Sequence, residues 1–83
     1  MSIPIIFRAY DKDGSYIKTI RPFTMSYGGG DNNLTIIGKM VFENIDVIRQ
    51  SEGSNIRYLS PIHILDYIYD LDTGELLPNK FER

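Results

Sequence analysis

Apolar and polar residues alternate over residues 3–10. Ile3, Ile5, Phe7 and Ala9 fall on one face of an extended chain, and Ile6, Arg8 and Tyr10 on the other. The pattern predicts a first strand, with Pro4 near its start or at a sheet edge, where a missing N–H is tolerated. Asp11-Lys12-Asp13-Gly14 supplies a turn and residues 15–20 a return strand, in which Tyr16, Lys18 and Ile20 oppose Ile17 and Thr19. Arg21-Pro22 ends that strand, because the residue before proline disfavours helical backbone. Residues 23–27 predict a third short strand.

The same grammar returns near the other end. Residues 62–69 lead into Tyr69-Asp70-Leu71-Asp72, then Gly74 and a second apolar stretch, much as residues 6–10 lead into the first turn. A strand over 62–69 and a C-terminal hairpin follow. The competing pattern is a helix capped by Ser60 with Pro61 in its first position. The density of Ile and Tyr and the return strand at 75–77 favour the strand. Pro78 ends the run and leaves 79–83 as a frayed tail. The echo is short and nothing between its copies repeats, so it predicts two hairpins rather than a duplicated domain.

The middle is less regular. Gly28-Gly29-Gly30 and the polar residues to Asn33 favour a loop, since adjacent glycines lose much entropy when ordered. Residues 34–37 form a short apolar element. Over 39–50 a helix places Met40 or Val41, Ile45 and Ile48 on one stripe, with Glu43, Asp46, Arg49 and Gln50 largely outside. A strand over the same residues alternates less cleanly, so a helix is predicted despite the β-branched residues. A loop at 51–55 and a strand at 56–59 complete the chain. The expected fold is α+β and β-rich: a small antiparallel sheet or partly open barrel, hairpins at both ends, and one short middle helix.

Composition sharpens this picture. Thirteen isoleucines against one alanine suit pleated surfaces more than helices. The 83 residues make one small domain, 1–83, which buries only about 60% of its unfolded surface. With no cysteine, neither a disulfide nor a thiolate metal site supplements the core. The net charge of -2 resembles neither a basic nucleic-acid tail nor an acidic disordered one. The opening residues lack the positive start of a signal peptide, and no apolar run is long enough to cross a bilayer. The expected location is cytoplasmic, with no membrane partner.

The motifs that carry chemistry are weak. A calcium loop begun at Asp11 or Asp70 needs glycine at its sixth position and an acidic residue at its twelfth. The sequence has Tyr16 and Pro22, or Glu75 and Phe81. The aspartates therefore read as turn formers. Gly28-Gly29-Gly30 lacks the lysine and hydroxyl residue of a phosphate loop. His63 is the sole histidine, and with Asp66 it defines neither a hydrolase nor a metal centre. Ser60 reads as a cap or turn residue, and Asn33-Leu34-Thr35 as an accidental glycosylation match. No catalytic residue, metal site or cofactor is implied.

Binding chemistry is better represented. Arg8, Lys18 and Arg21, with Tyr10, Tyr16 and Phe23, could align on the first hairpin, and Tyr67 and Tyr69 make a second patch. Such a mixture suits protein interfaces. It also suits single-stranded nucleic acid, whose bases stack on aromatic rings, but Asp11 and Asp13 oppose that field.

The opening Phe7-Arg8-Ala9-Tyr10-Asp11-Lys12 resembles the start of some small phage-associated proteins of the YopX-like kind. The resemblance covers residues 5–12, lacks the acidic-glycine signature expected near the end, and implies only a phage or mobile-element setting. The expectation is a noncatalytic protein-interaction domain, a homodimer or a small accessory inhibitor. Single-stranded nucleic-acid binding is the alternative, and an enzyme with an unrecognised site the third.

Overall fold

The structure is a computed structural model that describes residues 2–21, 26–28 and 33–81, with side chains for 5–21 and 33–81. Its strands are β1 Ser2–Pro4, β2 Phe7–Tyr10, β3 Tyr16–Ile20 and β4 Ser26–Gly28, then β5 Tyr58–Pro61, β6 Tyr67–Asp70 and β7 Leu76–Pro78. Two helices, α1 Asn33–Glu43 and α2 Ile45–Glu52, lie between β4 and β5. Strands β3-β2-β5-β6-β7 form an open antiparallel sheet, and β1 pairs with β4. The α+β, β-rich fold expected from the sequence is therefore present, as an open sheet rather than a barrel.

The first strand of the sequence pattern is split in two at residues 5–6. Phe7 faces Ile20 whereas Pro4 faces Ser26, so β1 and β4 carry the N-terminal hairpin onward in a shifted register. The middle holds two helices, not one, and helical backbone begins at Asn33, within what composition marks as loop. They are separated at Asn44, whose side-chain amide donates to the Met40 carbonyl at 2.7 Å. The predicted strand at 56–59 is shifted to 58–61. That predicted at 62–69 is confined to 67–70; residues 62–66 connect β5 to β6 without a helix. Pro61 fits because it is the last residue of β5, and the next amide, of Ile62, donates to the Ile6 carbonyl at 2.8 Å.

Both helices pack on one face of the sheet. Phe7, Ala9, Ile20, Leu59 and Tyr69 meet Ile37, Val41 and Ile48, and Ile5, Ile56 and Leu71 belong to the same cluster. Burying each aliphatic side chain is worth about 1.5–3 kcal/mol relative to exposure. Helix α1 comes closest at Gly38, where an added Cβ would lie 3.0 Å from Tyr69 Cδ1. The Tyr69 hydroxyl donates to the Leu34 carbonyl in the first turn of α1.

The two echoing turns are built alike. Asp11 Oδ1 accepts from the amides of Asp13 and Ser15, and Asp70 Oδ1 from that of Asp72. Gly14 and Gly74 donate to the Asp11 and Asp70 carbonyls and have φ of 85° and 75°, where a side chain is strained. A phenylalanine ring lies over each glycine, Phe81 over Gly14 and Phe42 over Gly74. Strand β5 separates the hairpins, which places both turns at the same end of the sheet.

Candidate functional site

Paired residues in an antiparallel ladder share a face and successive residues alternate. Arg8, Thr19 and Ser60 therefore share one face, as do Tyr10, Tyr58 and Asp70, and Ile68 with Leu77. None of these belongs to the helix-packed cluster. Among the described residues no helix covers this face, and it carries a cluster of Tyr10, Tyr16, Tyr58 and Phe81.

Tyr10 is only 1% exposed although it faces away from the helices. Other rings bury it. Tyr16 meets it edge-on with centroids 6.2 Å apart, and Phe81 lies tilted at 5.8 Å. Phe81 also packs on Tyr58 at 5.3 Å, while the Arg57 guanidinium stands 5.3 Å from the Tyr58 ring centroid. The Tyr16 hydroxyl and the Thr19 hydroxyl share a 2.9 Å hydrogen bond that fixes the outer ring.

Phe81 reaches this cluster because residues 79–81 turn back across the sheet. The Asn79 amide donates to the Asp66 carbonyl and its side-chain amide to the Leu65 carbonyl, both at 2.8 Å. The Phe81 amide then donates to Asn79 Oδ1 at 3.0 Å. The tail expected to fray is thus hydrogen-bonded at Asn79 and Phe81. A cleft of about 260 Å³ lies beside the ring, lined by Tyr58, Ile68, Leu77, Pro78 and Lys80.

The residues singled out from sequence are divided. Tyr10 and Tyr16 are brought together, with Arg8 on the same face. Lys18 is not. Ala9 faces Lys18 and Tyr10 faces Tyr16, so a bulge at Ile17 leaves Lys18 on the helix side, where it pairs with Glu52 of α2 at 3.0 Å. Arg21 is exposed beyond the end of β3, and Phe23 lies outside the described residues. Arg8, Lys18 and Arg21 consequently do not converge. Tyr69 lies in the core, 2% exposed; Tyr67, on the same side of β6, is 38% exposed. Tyr58 and Phe81 were missed, since neither belongs to an obvious aromatic run.

Charge concentrates at the turn end of the sheet. Arg49 of α2 contacts Asp72 at 2.5 Å, while Arg57 contacts Asp70 at 3.1 Å and Asp72 at 3.5 Å. The Arg49 hydrogen bond holds the Asp72 carboxyl below its usual range. A cleft of about 450 Å³ opens here, lined by these arginines, Asp72 and the turn residues Asp11, Lys12 and Asp13. The two arginines thus pair with the carboxylates of the second turn, and the first turn borders the same cleft. Among the described residues no group of three or more His, Asp or Glu side chains is placed to hold a metal.

A third cleft, of about 390 Å³, lies between α1 and the second turn and includes Leu34, Phe42, Tyr69 and Leu76. His63 is exposed and lines none of these clefts. Among the described residues no helix is long and apolar enough to cross a membrane. No family model matches the chain, and no curated protein or solved structure is significantly similar to it.

Proposed function

We propose that this chain is a noncatalytic protein-interaction domain, a small accessory or inhibitor protein that binds its partner through the helix-free face of the sheet. The observation that carries this function is the aromatic cluster on that face. Tyr16 and Phe81 are 56% and 38% exposed beside half-buried Tyr58 and Arg8. Rigid aromatic rings with arginine dominate the binding energy of many protein interfaces. Nucleic-acid binding is less favoured, because Lys18 is turned away and the acidic turns border the face. The partner is a different protein or a second copy of this chain, and cytoplasmic residence fits either. Only the Phe7-Arg8-Ala9-Tyr10-Asp11-Lys12 opening supports a phage or mobile-element setting.

The test is affinity capture from the native host, reconstitution of the direct complex, and sedimentation of the chain alone. Tyr16→Ala and Arg8→Ala should weaken the complex or the self-association. Val47→Ser, on exposed α2 surface, should leave it intact. Equal binding by all three variants would remove the assignment to this face. Binding that needs nucleic acid and vanishes at moderate salt would favour the alternative.

A further inference from the structure

We infer that the slot under Phe81 is a recognition site for an aromatic side chain carried on an extended protein segment. Residues 79–81 are its built-in occupant, and the partner's segment displaces them. This site rests on the protein-interaction function proposed for the face and names the kind of segment it takes.

The fixed part of the slot is made by Tyr10, Tyr58 and the turn at Gly14. Its two tyrosines meet the Phe81 ring at 48° and 56°, tilted packing that favours an aromatic over an aliphatic guest. Gly14 matters because an added Cβ would enter the ring's own space, so the floor is open only to glycine. The adjoining cleft of about 260 Å³ is below the roughly 300–1,000 Å³ of small-molecule sites, the scale of a single side chain.

The anchoring of the strap makes exchange feasible. Its hydrogen bonds to the sheet's connecting segment are made by Asn79, and Phe81 is held by ring contacts while remaining 38% exposed. A seated strap reduces the competent fraction of the slot, and apparent affinity falls by that fraction. A strap seated nine-tenths of the time weakens a competitor about tenfold.

The experiment uses full-length protein and a synthetic peptide of residues 77–83, Leu-Pro-Asn-Lys-Phe-Glu-Arg. Titration into Phe81→Ala protein, followed by amide NMR, should saturate and shift Tyr10, Gly14 and Tyr58. Wild-type protein should bind about tenfold more weakly for a strap seated nine-tenths of the time, and the peptide with alanine in place of its phenylalanine should bind more weakly than the phenylalanine peptide. Full-length Asn79→Ala, which keeps the ring but frees the strap, should bind the peptide more tightly than wild type, and this arm stands even where Phe81→Ala does not fold. Lack of saturation with the folded variants, equal binding of the alanine peptide, or shifts elsewhere would overturn the slot. Failure here with continued loss of the partner in Tyr16→Ala would remove the slot alone and leave the interaction face standing.

Discussion

Replacing Gly38 by alanine sets two effects of opposite sign against each other. In an exposed helix interior the change stabilises by about 1 kcal/mol, through lower backbone entropy in the unfolded chain. In α1 the new methyl would enter the Tyr69 ring, 3.0 Å from Cδ1 and closer still to Cε1. The ring cannot step aside. Tyr69 is 2% exposed, and its hydroxyl is tied to the Leu34 carbonyl of the same helix. Overpacking a core costs about 1–3 kcal/mol, and a ring pinned at both ends belongs at the upper limit. The net expectation is a loss of about 2 kcal/mol. With a urea m-value of about 1 kcal/mol/M for a small domain, the midpoint should fall by about 2 M.

Urea unfolding followed by far-ultraviolet circular dichroism reads this directly. A second arm fixes the cause. In a Tyr69→Val background the obstruction is gone, so the same Gly38→Ala change should stabilise by about 1 kcal/mol. A neutral or stabilising effect in the wild-type background, or an equal loss in both, would refute the close-approach account.

Three further outcomes follow from the turns and the buried phenol. Asp70→Ala should cost about 2–3 kcal/mol and Asp11→Ala about 1 kcal/mol, because Asp70 is 4% exposed and also pairs with Arg57; equal losses in urea unfolding would contradict this. Asp72 is held below its usual range, first by the Arg49 hydrogen bond, so its contribution is present above the unfolded pKa of about 4 and lost as pH falls through the lower folded value. Asp72→Asn should flatten the acid limb of the stability curve. Burial pushes the Tyr69 phenol above its ordinary range, so its contribution is complete below about pH 10 and is lost as pH rises, while the unfolded phenol ionises first. Tyr69→Phe should remove that alkaline slope in pH-dependent unfolding.

The local chemistry of the turns was legible in the sequence, because Asp-x-Asp with a following glycine needs only neighbouring residues. The helix content was partly legible. The stripe of Val41, Ile45 and Ile48 marked a helix, but Gly38 inside α1 and Asn44 between the helices hid its start and its division. Gly38 looks like a breaker until the Tyr69 ring, 31 positions away, is seen to require it. Strand order was not legible, since pairing β2 with β5 depends on contacts across half the chain. The bulge at Ile17 likewise separated Lys18 from Arg8 and dissolved the expected basic cluster.

The least visible residue was Phe81, and its role shows why an open two-layer fold needs more than its alternating pattern. Helices cover one face of the sheet, yet Tyr10 and Ile68 on the other face are 1% and 2% exposed. Five short strands with helices on one side leave such side chains in water unless another segment shields them. Residues 79–81 provide part of that cover for the price of one anchoring asparagine and one ring. At the adjacent end, Asp70 and Asp72 of the second turn pair with Arg49 and Arg57. The apolar cover then leaves the exposed parts of Tyr16, Tyr58 and the seated Phe81 as the aromatic surface of this face.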